Sequence, residues 1–228
     1  MPMKTNMNAN KHSHSASPHT HKPKTHSNYE KMKNSVNDSF LQYDQENMIR
    51  KFSLQHDSNY LYITFIGRTY RINRHTGIIH WSDDHFQTTH DADYNEVMTI
   101  YDVLCYSKEN CHLAHEFVNL SSLSTVRTGN LTANDSFFQR TANSFNQKTA
   151  ALCHACENLS GKPLPKGDVA YELQLFSFLP VIIRFWEADE EFPASLQILV
   201  DKNTPDYMHY ETLMFALSHL FDRIREEM

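Results

Sequence analysis

The chain has 228 residues, of which 40% are hydrophobic and 21% are charged, a composition typical of globular proteins. Residues 1–33 contain six lysines and one glutamate, so the remainder holds 15 basic and 26 acidic residues. This acidic body argues against nucleic acid as the main partner. The five glycines form no glycine-rich phosphate loop, and no segment approaches the roughly 20 apolar residues that cross a membrane.

The first 28 residues form a polar segment rich in Asn, Ser, Thr, Lys and Pro. Its five histidines are His12, His14, His19, His21 and His26. Such a segment buries too little apolar surface to offset the entropy of ordering, so we predict a disordered tail before a single domain over residues 29–228. The histidines are either solvated or bind Zn²⁺ or Ni²⁺ loosely. The chain start shows no apolar signal region, which favours a cytoplasmic location.

The first half of the domain combines helices with a meander of short strands. Apolar residues at three- and four-residue spacing predict a helix over 29–51. Runs rich in Tyr, Ile, Thr and Phe predict strands at 60–66, 69–73 and 78–81. Asp93 is followed three residues later by Glu96, a capping-box pattern that predicts the start of a helix ending near Ser107.

The second half contains a long apolar-periodic segment and several strands. Spacing of three and four predicts one helix over 137–159, which Gly161 and the prolines after it terminate. Further strands are predicted at 116–120, 170–177, 180–187 and 195–200. A last amphipathic helix follows the turn at 203–205. These elements predict an α+β fold, a mostly antiparallel sheet packed with helices and closed by the C-terminal helix, although the alternation also permits an α/β fold.

One segment carries a resemblance to a known family. Phe178-Leu179-Pro180 leads into the sequence RFWEADEEFP at 184–193, and Tyr207-Met208-His209 precedes the last helix. This pattern resembles a family of uncharacterised bacterial and archaeal proteins, domain of unknown function 3786, with a weaker match in GRTYR at 67–71. The resemblance covers residues 29–228. It implies no established activity, but some family members are fused to cysteine-rich iron–sulfur segments and many come from anaerobes.

The acidic-aromatic turn, residues 186–193, is the first candidate site. Together with its neighbours it supplies the predicted ligand- or partner-binding residues Arg184, Trp186, Glu187, Asp189, Glu190, Glu191 and His209. Clustered carboxylates beside an aromatic ring hold a cation or a basic partner, or they form a solvated turn that discourages edge pairing. Arg184 is either an anchor for an anion or one half of an ordinary salt bridge, for example with Glu172. His209 either packs beside a turn or serves as a neutral ligand or base.

The cysteines form the second candidate site. The predicted metal-binding residues are Cys105, Cys111, His112, Cys153 and Cys156. Thiolate and imidazole ligands suit zinc or an iron–sulfur cluster. Cys153 and Cys156 fall within a helical pattern, however, so packing as small apolar side chains and thiol redox chemistry are the alternatives.

These patterns contain no convincing catalytic arrangement, since neither GxSxG nor HExxH occurs. We therefore expect a non-catalytic domain that binds a small ligand, a cofactor or a redox-protein partner through the acidic-aromatic turn. The alternative is a zinc- or iron–sulfur-dependent protein of anaerobic one-carbon, corrinoid or redox metabolism, which rests partly on the family resemblance. A hydrolase or transferase that uses the turn carboxylates is a third possibility.

Overall fold

The computed structural model describes residues 28–123 and 131–228. The tail predicted over residues 1–28 therefore lies almost entirely outside the described residues. The seven described helices are α1 (Asn28–Phe40), α2 (Gln45–Phe52), α3 (Tyr94–Tyr106), α4 (Leu131–Phe145), α5 (Thr149–Asn158), α6 (Thr204–Tyr207) and α7 (Tyr210–Glu227).

Ten described strands form a single sheet. They are β1 (Gln55–His56), β2 (Tyr60–Phe65), β3 (Arg68–Asn73), β4 (Ile79–Ser82), β5 (His90–Asp91), β6 (Phe117–Asn119), β7 (Lys162–Pro163), β8 (Val169–Phe176), β9 (Leu179–Trp186) and β10 (Ser195–Asp201). The main strand order is β5-β4-β3-β2-β8-β9-β10-β6, with β1 beside β2 and β7 beside β8. Every described pair is antiparallel, which confirms the predicted α+β fold and makes the α/β alternative wrong.

The sheet consists of two antiparallel halves that meet over a short stretch. Strands β2 to β5 form one half, and β6 with β8 to β10 forms the larger part of the other. The two halves join where Phe65 pairs with Phe176 and where the Ile66 N–H donates to the Leu175 carbonyl at 2.9 Å. The rings of Phe65 and Phe176 stack at 4.8 Å between centroids, so apolar contact reinforces the junction.

Two helices predicted as continuous are each broken in the structure. The segment 29–51 divides into α1 and α2 because Asp44 caps a new helix, its side chain accepting the Asn47 N–H at 3.0 Å. The segment 137–159 divides into α4 and α5 at Gln147, whose φ of 60° is left-handed. Asn146 lies at this break, and its side-chain oxygen accepts the Ala188 N–H at 3.0 Å. Asn146 therefore connects the end of α4 to the acidic-aromatic turn.

The C-terminal helix is the centre of the hydrophobic core, as its amphipathic pattern predicts. Its side chains at Leu213, Leu217, Leu220, Phe221 and Ile224 are each at most 1% exposed. Helix α7 contacts α3 and α5, and its apolar residues belong to the same cluster as the core-facing residues of β8 and β9. The helix therefore connects both halves of the sheet to the helical layer.

Candidate functional site

The acidic-aromatic turn connects β9 to β10 and has a defined backbone conformation. The Asp189 carboxylate accepts the N–H groups of Glu191 at 2.8 Å and Phe192 at 2.7 Å, and the Asp189 N–H donates to the Phe192 carbonyl at 3.0 Å. The hydrogen bonds from the Phe192 and Glu191 N–H groups lower the pKa of Asp189. The Asp189 carboxylate therefore stays ionised at neutral pH and fixes the shape of the turn.

Contacts from outside the turn hold it in place. The Glu187 N–H donates to the Asp168 carboxylate at 2.7 Å, and the Gln139 side chain on α4 donates to the Ala194 carbonyl at 2.9 Å. Between these two attachments the side chain of Phe192 projects into solvent and is 66% exposed. Phe192 was not among the binding residues predicted from the sequence, although its position directly after the acids of the turn was an available signal.

Arg184 and Trp186 lie on the opposite face of β9 from the core residues Ile183 and Phe185, as strand alternation requires. Both are half-buried. Arg184 donates to the Gln197 side chain on β10 at 3.3 Å. The suggested pairing of Arg184 with Glu172 is not formed, and the Glu172 carboxylate instead lies 3.6 Å from the Lys162 ammonium. Among the described residues, no carboxylate oxygen lies within 4.0 Å of the Arg184 guanidinium.

His209 belongs to a different group of contacts from the acidic-aromatic turn. Its Nδ1 lies 2.6 Å from Oδ1 of Asp102 on α3, and its backbone N–H donates to Oδ2 of the same carboxylate at 2.7 Å. Its ring meets Tyr106 edge-on, 5.9 Å between centroids. In the part of the chain that the structure describes, no hydrogen bond or ion pair joins His209 to the turn. The predicted binding residues thus divide into the turn with its adjoining strand face and a separate His209–Asp102 pair.

Comparison with known proteins supports the family resemblance. The model of the family described as Domain of unknown function (DUF3786) matches residues 44–223, which is most of the chain. The chain belongs to this family. Searches of the curated proteins and of the solved structures gave no match. Within the described ranges of this DUF3786 chain, no helix is both long and apolar enough to cross a membrane.

The structure distributes the predicted metal ligands of this DUF3786 chain over three places in the fold. Cys105 lies on α3, Cys111 and His112 follow that helix, and Cys153 and Cys156 lie on α5. All four cysteines are free. Among the described residues, no group of three or more His, Cys, Asp or Glu side chains could hold a metal ion.

Burial, with a contribution from the Asp102 charge, raises the pKa of Cys105 to about 12, and burial likewise raises the pKa of Cys156 to about 12.

These raised pKa values predict unreactive thiols. Because the thiolate is the nucleophile, we expect iodoacetamide at pH 8 to alkylate Cys105 and Cys156 at least about 100-fold more slowly in the folded protein than in urea. Tandem mass spectrometry of tryptic peptides after timed quenching measures each rate separately, since fragment ions distinguish Cys156 from Cys153 on the same peptide. Equal rates in the folded and unfolded protein would contradict the burial of Cys156 and the partial burial of Cys105.

The structure also contains a buried polar cluster that sequence reasoning missed. The Tyr70 hydroxyl on β3 donates to Oε1 of Glu96 on α3 at 2.5 Å and lies 3.3 Å from Nε2 of His219 on α7. The same His219 nitrogen lies 3.4 Å from Glu96 Oε1. The three residues are 0%, 3% and 6% exposed, respectively. We refer to Tyr70, Glu96 and His219 as the buried triad.

Glu96 also belongs to the capping box at the start of α3. It is the third residue of α3, and its Oε2 accepts the Asp93 N–H at 2.5 Å, while the Asp93 carboxylate accepts the Glu96 N–H at 2.8 Å. This confirms the predicted capping box. Burial raises the pKa of Glu96, although the hydrogen bonds from Tyr70 and from Asp93 oppose that shift. Glu96 therefore couples the start of α3 to the centre of the sheet.

Two arginines surround the buried triad. Arg68 lies with its guanidinium 3.6 Å from the centroid of the Trp81 ring, 4.0 Å from Glu96 and 3.3 Å from Glu226. Arg223 pairs with the same Glu226. Both arginines are less than a tenth exposed, so their charges act in a low-dielectric environment. The triad and its arginines connect β3, α3 and α7.

A surface crevice of about 260 Å³ lies between α1 and the β4–β5 edge of the sheet. Lys33, Ile78, His80 and Asp91 are among its lining residues. None of the predicted binding residues lines this crevice. The crevice is therefore separate from the acidic-aromatic turn.

Proposed function

We propose that the protein is a non-catalytic binding domain that holds its partner at the acidic-aromatic turn. Of the partners that the sequence suggests, a small ligand, a cofactor or a redox protein, the geometry supports a protein partner that presents an apolar pocket with basic groups around it. The observation that carries this proposal is Phe192, two-thirds exposed at the tip of a turn with a fixed backbone. An exposed phenyl group gains free energy when a partner removes it from water.

The preformed shape of the turn supports the proposal. A loop that must be ordered on binding loses conformational entropy, and this loss reduces affinity. Here the Asp189 carboxylate already orders the backbone around Phe192, and Asn146 and Asp168 attach the start of the turn to its surroundings. We therefore expect Phe192 to reach the partner with little further ordering.

The negative charge of the turn predicts that the partner carries basic groups. Glu190 and Glu191 directly follow Asp189, are exposed, and carry no ion pair within the described residues. Carboxylates around an apolar anchor form a polar rim that favours basic partners and accelerates their association.

The four free cysteine thiols fit a reducing, cytoplasmic location. The zinc- or iron–sulfur-dependent alternative stays a prediction from the family resemblance.

A defined probe tests this proposal. We expect a fluorescein-labelled peptide of alternating Lys and Leu to bind the wild-type protein, with Phe192→Ser weakening binding about 10-fold, the loss typical of a modest anchor residue. Fluorescence anisotropy measures the affinity. Ile78→Ser, which removes another exposed apolar side chain at 43% exposure, is the matched control and is expected to leave the affinity unchanged.

The charged rim is tested with the same peptide. Glu190→Gln combined with Glu191→Gln is expected to weaken binding and to reduce its salt dependence, because two carboxylates are removed. Asp91→Asn, at an exposed acid distant in the sheet order, serves as the control. If Phe192→Ser and Ile78→Ser bind the peptide equally well, the turn is not the binding surface.

A further inference from the structure

His219 is surrounded by titratable and charged groups from every element packed against it. These are Tyr70 and Arg68 on β3, Glu96 with the capping residue Asp93 on α3, and Arg223 and Glu226 on α7. The Phe65 ring of β2 stacks on the imidazole at 5.1 Å between centroids and excludes water from that side. The His219 imidazole therefore lies where α7 packs against the sheet.

We infer that the buried triad is a proton-sensitive latch, which holds α7 against β3 and α3 while His219 is neutral and loosens when His219 gains a proton. The neutral ring needs no counter-charge, whereas an imidazolium would be a buried cation close to Arg68 and Arg223. The carboxylate oxygen closest to its Nε2, Glu96 Oε1 at 3.4 Å, already accepts the Tyr70 hydroxyl. Glu96, Asp93 and Glu226 partly offset the added charge.

The balance of these effects favours the neutral ring. Burial lowers the pKa of His219 from 6.5 to about 4, with Arg68 and Arg223 acting in the same direction and Asp93 and Glu226 opposing. Because the unfolded chain takes up this proton first, the stabilisation is present above pH 6.5 and is lost as the pH falls through the native pKa. The raised pKa of Glu96 has the opposite effect, since its contribution is lost as the pH rises through its native value.

The test compares the full-length protein with His219→Gln, which keeps a polar side chain of similar size but cannot titrate. Between pH 7.5 and 5.0 we expect the Tm of the wild type to fall by about 5 °C more than that of the variant. In the same pH interval, hydrogen exchange corrected for its intrinsic rate should show loss of protection in α7 of the wild type only. Strand β9 serves as the internal reference.

Two results would overturn the latch. One is an equal pH dependence of Tm and of α7 protection in the wild type and His219→Gln. The other comes from NMR titration of the His219 ring nitrogens in the wild type, which needs no variant to fold. A ring that titrates near 6.5, as in an unstructured peptide, would show that burial does not keep it neutral.

Discussion

Removal of residues 206–228 is expected to abolish folding. This cut deletes α7, whose five deepest apolar side chains each contribute about 1.5–3 kcal/mol when buried. Their sum is comparable with the 5–15 kcal/mol that stabilises a typical domain. The deletion also exposes the apolar faces of α3 and α5, which pack against α7. Circular dichroism during heating should show no cooperative transition for the truncated chain.

A truncation of similar size at the other end provides the control for this prediction. Deletion of residues 1–27 removes all but the last residue of the segment that the sequence predicts to be disordered, so cooperative melting should persist at nearly the wild-type Tm. Cooperative melting of the chain that lacks 206–228 would contradict the central position of α7 in the core.

Glu96→Ala is expected to destabilise the protein by about 3–5 kcal/mol, since removal of one member of a buried charged network leaves the others without partners. The substitution removes the acceptor of the Tyr70 hydroxyl and of the Asp93 N–H, and it leaves Arg68 and His219 buried without this carboxylate. Urea denaturation followed by tryptophan fluorescence measures the free energy of unfolding.

Two further variants make this result interpretable. Glu96→Gln keeps the size and an acceptor oxygen, so we expect it to lose less stability than Glu96→Ala. Glu211→Ala changes an exposed glutamate in the first turn of α7 and should lie within about 0.5 kcal/mol of the wild type. A loss below about 1 kcal/mol for Glu96→Ala would mean that the buried triad contributes little to stability.

The longer strands and the capping box were predictable because their signals are local, whereas the two-residue strands β1, β5 and β7 were not predicted. Alternation and β-branched or aromatic residues identify β2, β3, β8, β9 and β10 within two residues of the observed bounds. The break between α4 and α5 was not predictable, since Gln147 adopts a left-handed conformation without a glycine or proline to indicate it. A tertiary contact, the Asn146 side chain with the turn, accompanies that break.

The buried triad shows a different limit of sequence reasoning. Tyr70 and His219 are 149 residues apart and meet only because β3 and α7 pack together. One signal was available in the final helix. His219 and Arg223 follow the three- and four-residue spacing of the buried face, which also contains Ala216 and Leu220. A polar residue at such a position indicates a buried partner, but the sequence does not identify which one.

The most direct test of the proposed function is an NMR titration of the ¹⁵N-labelled protein with the Lys–Leu peptide. If the acidic-aromatic turn is the binding surface, the largest saturable shifts will come from the backbone amides of 187–192 and the indole of Trp186. The same shifts should be absent in Phe192→Ser, while Ile78→Ser should reproduce the wild-type pattern. Saturable shifts centred elsewhere, for example at the crevice beside α1, with none at the turn, would contradict the proposal.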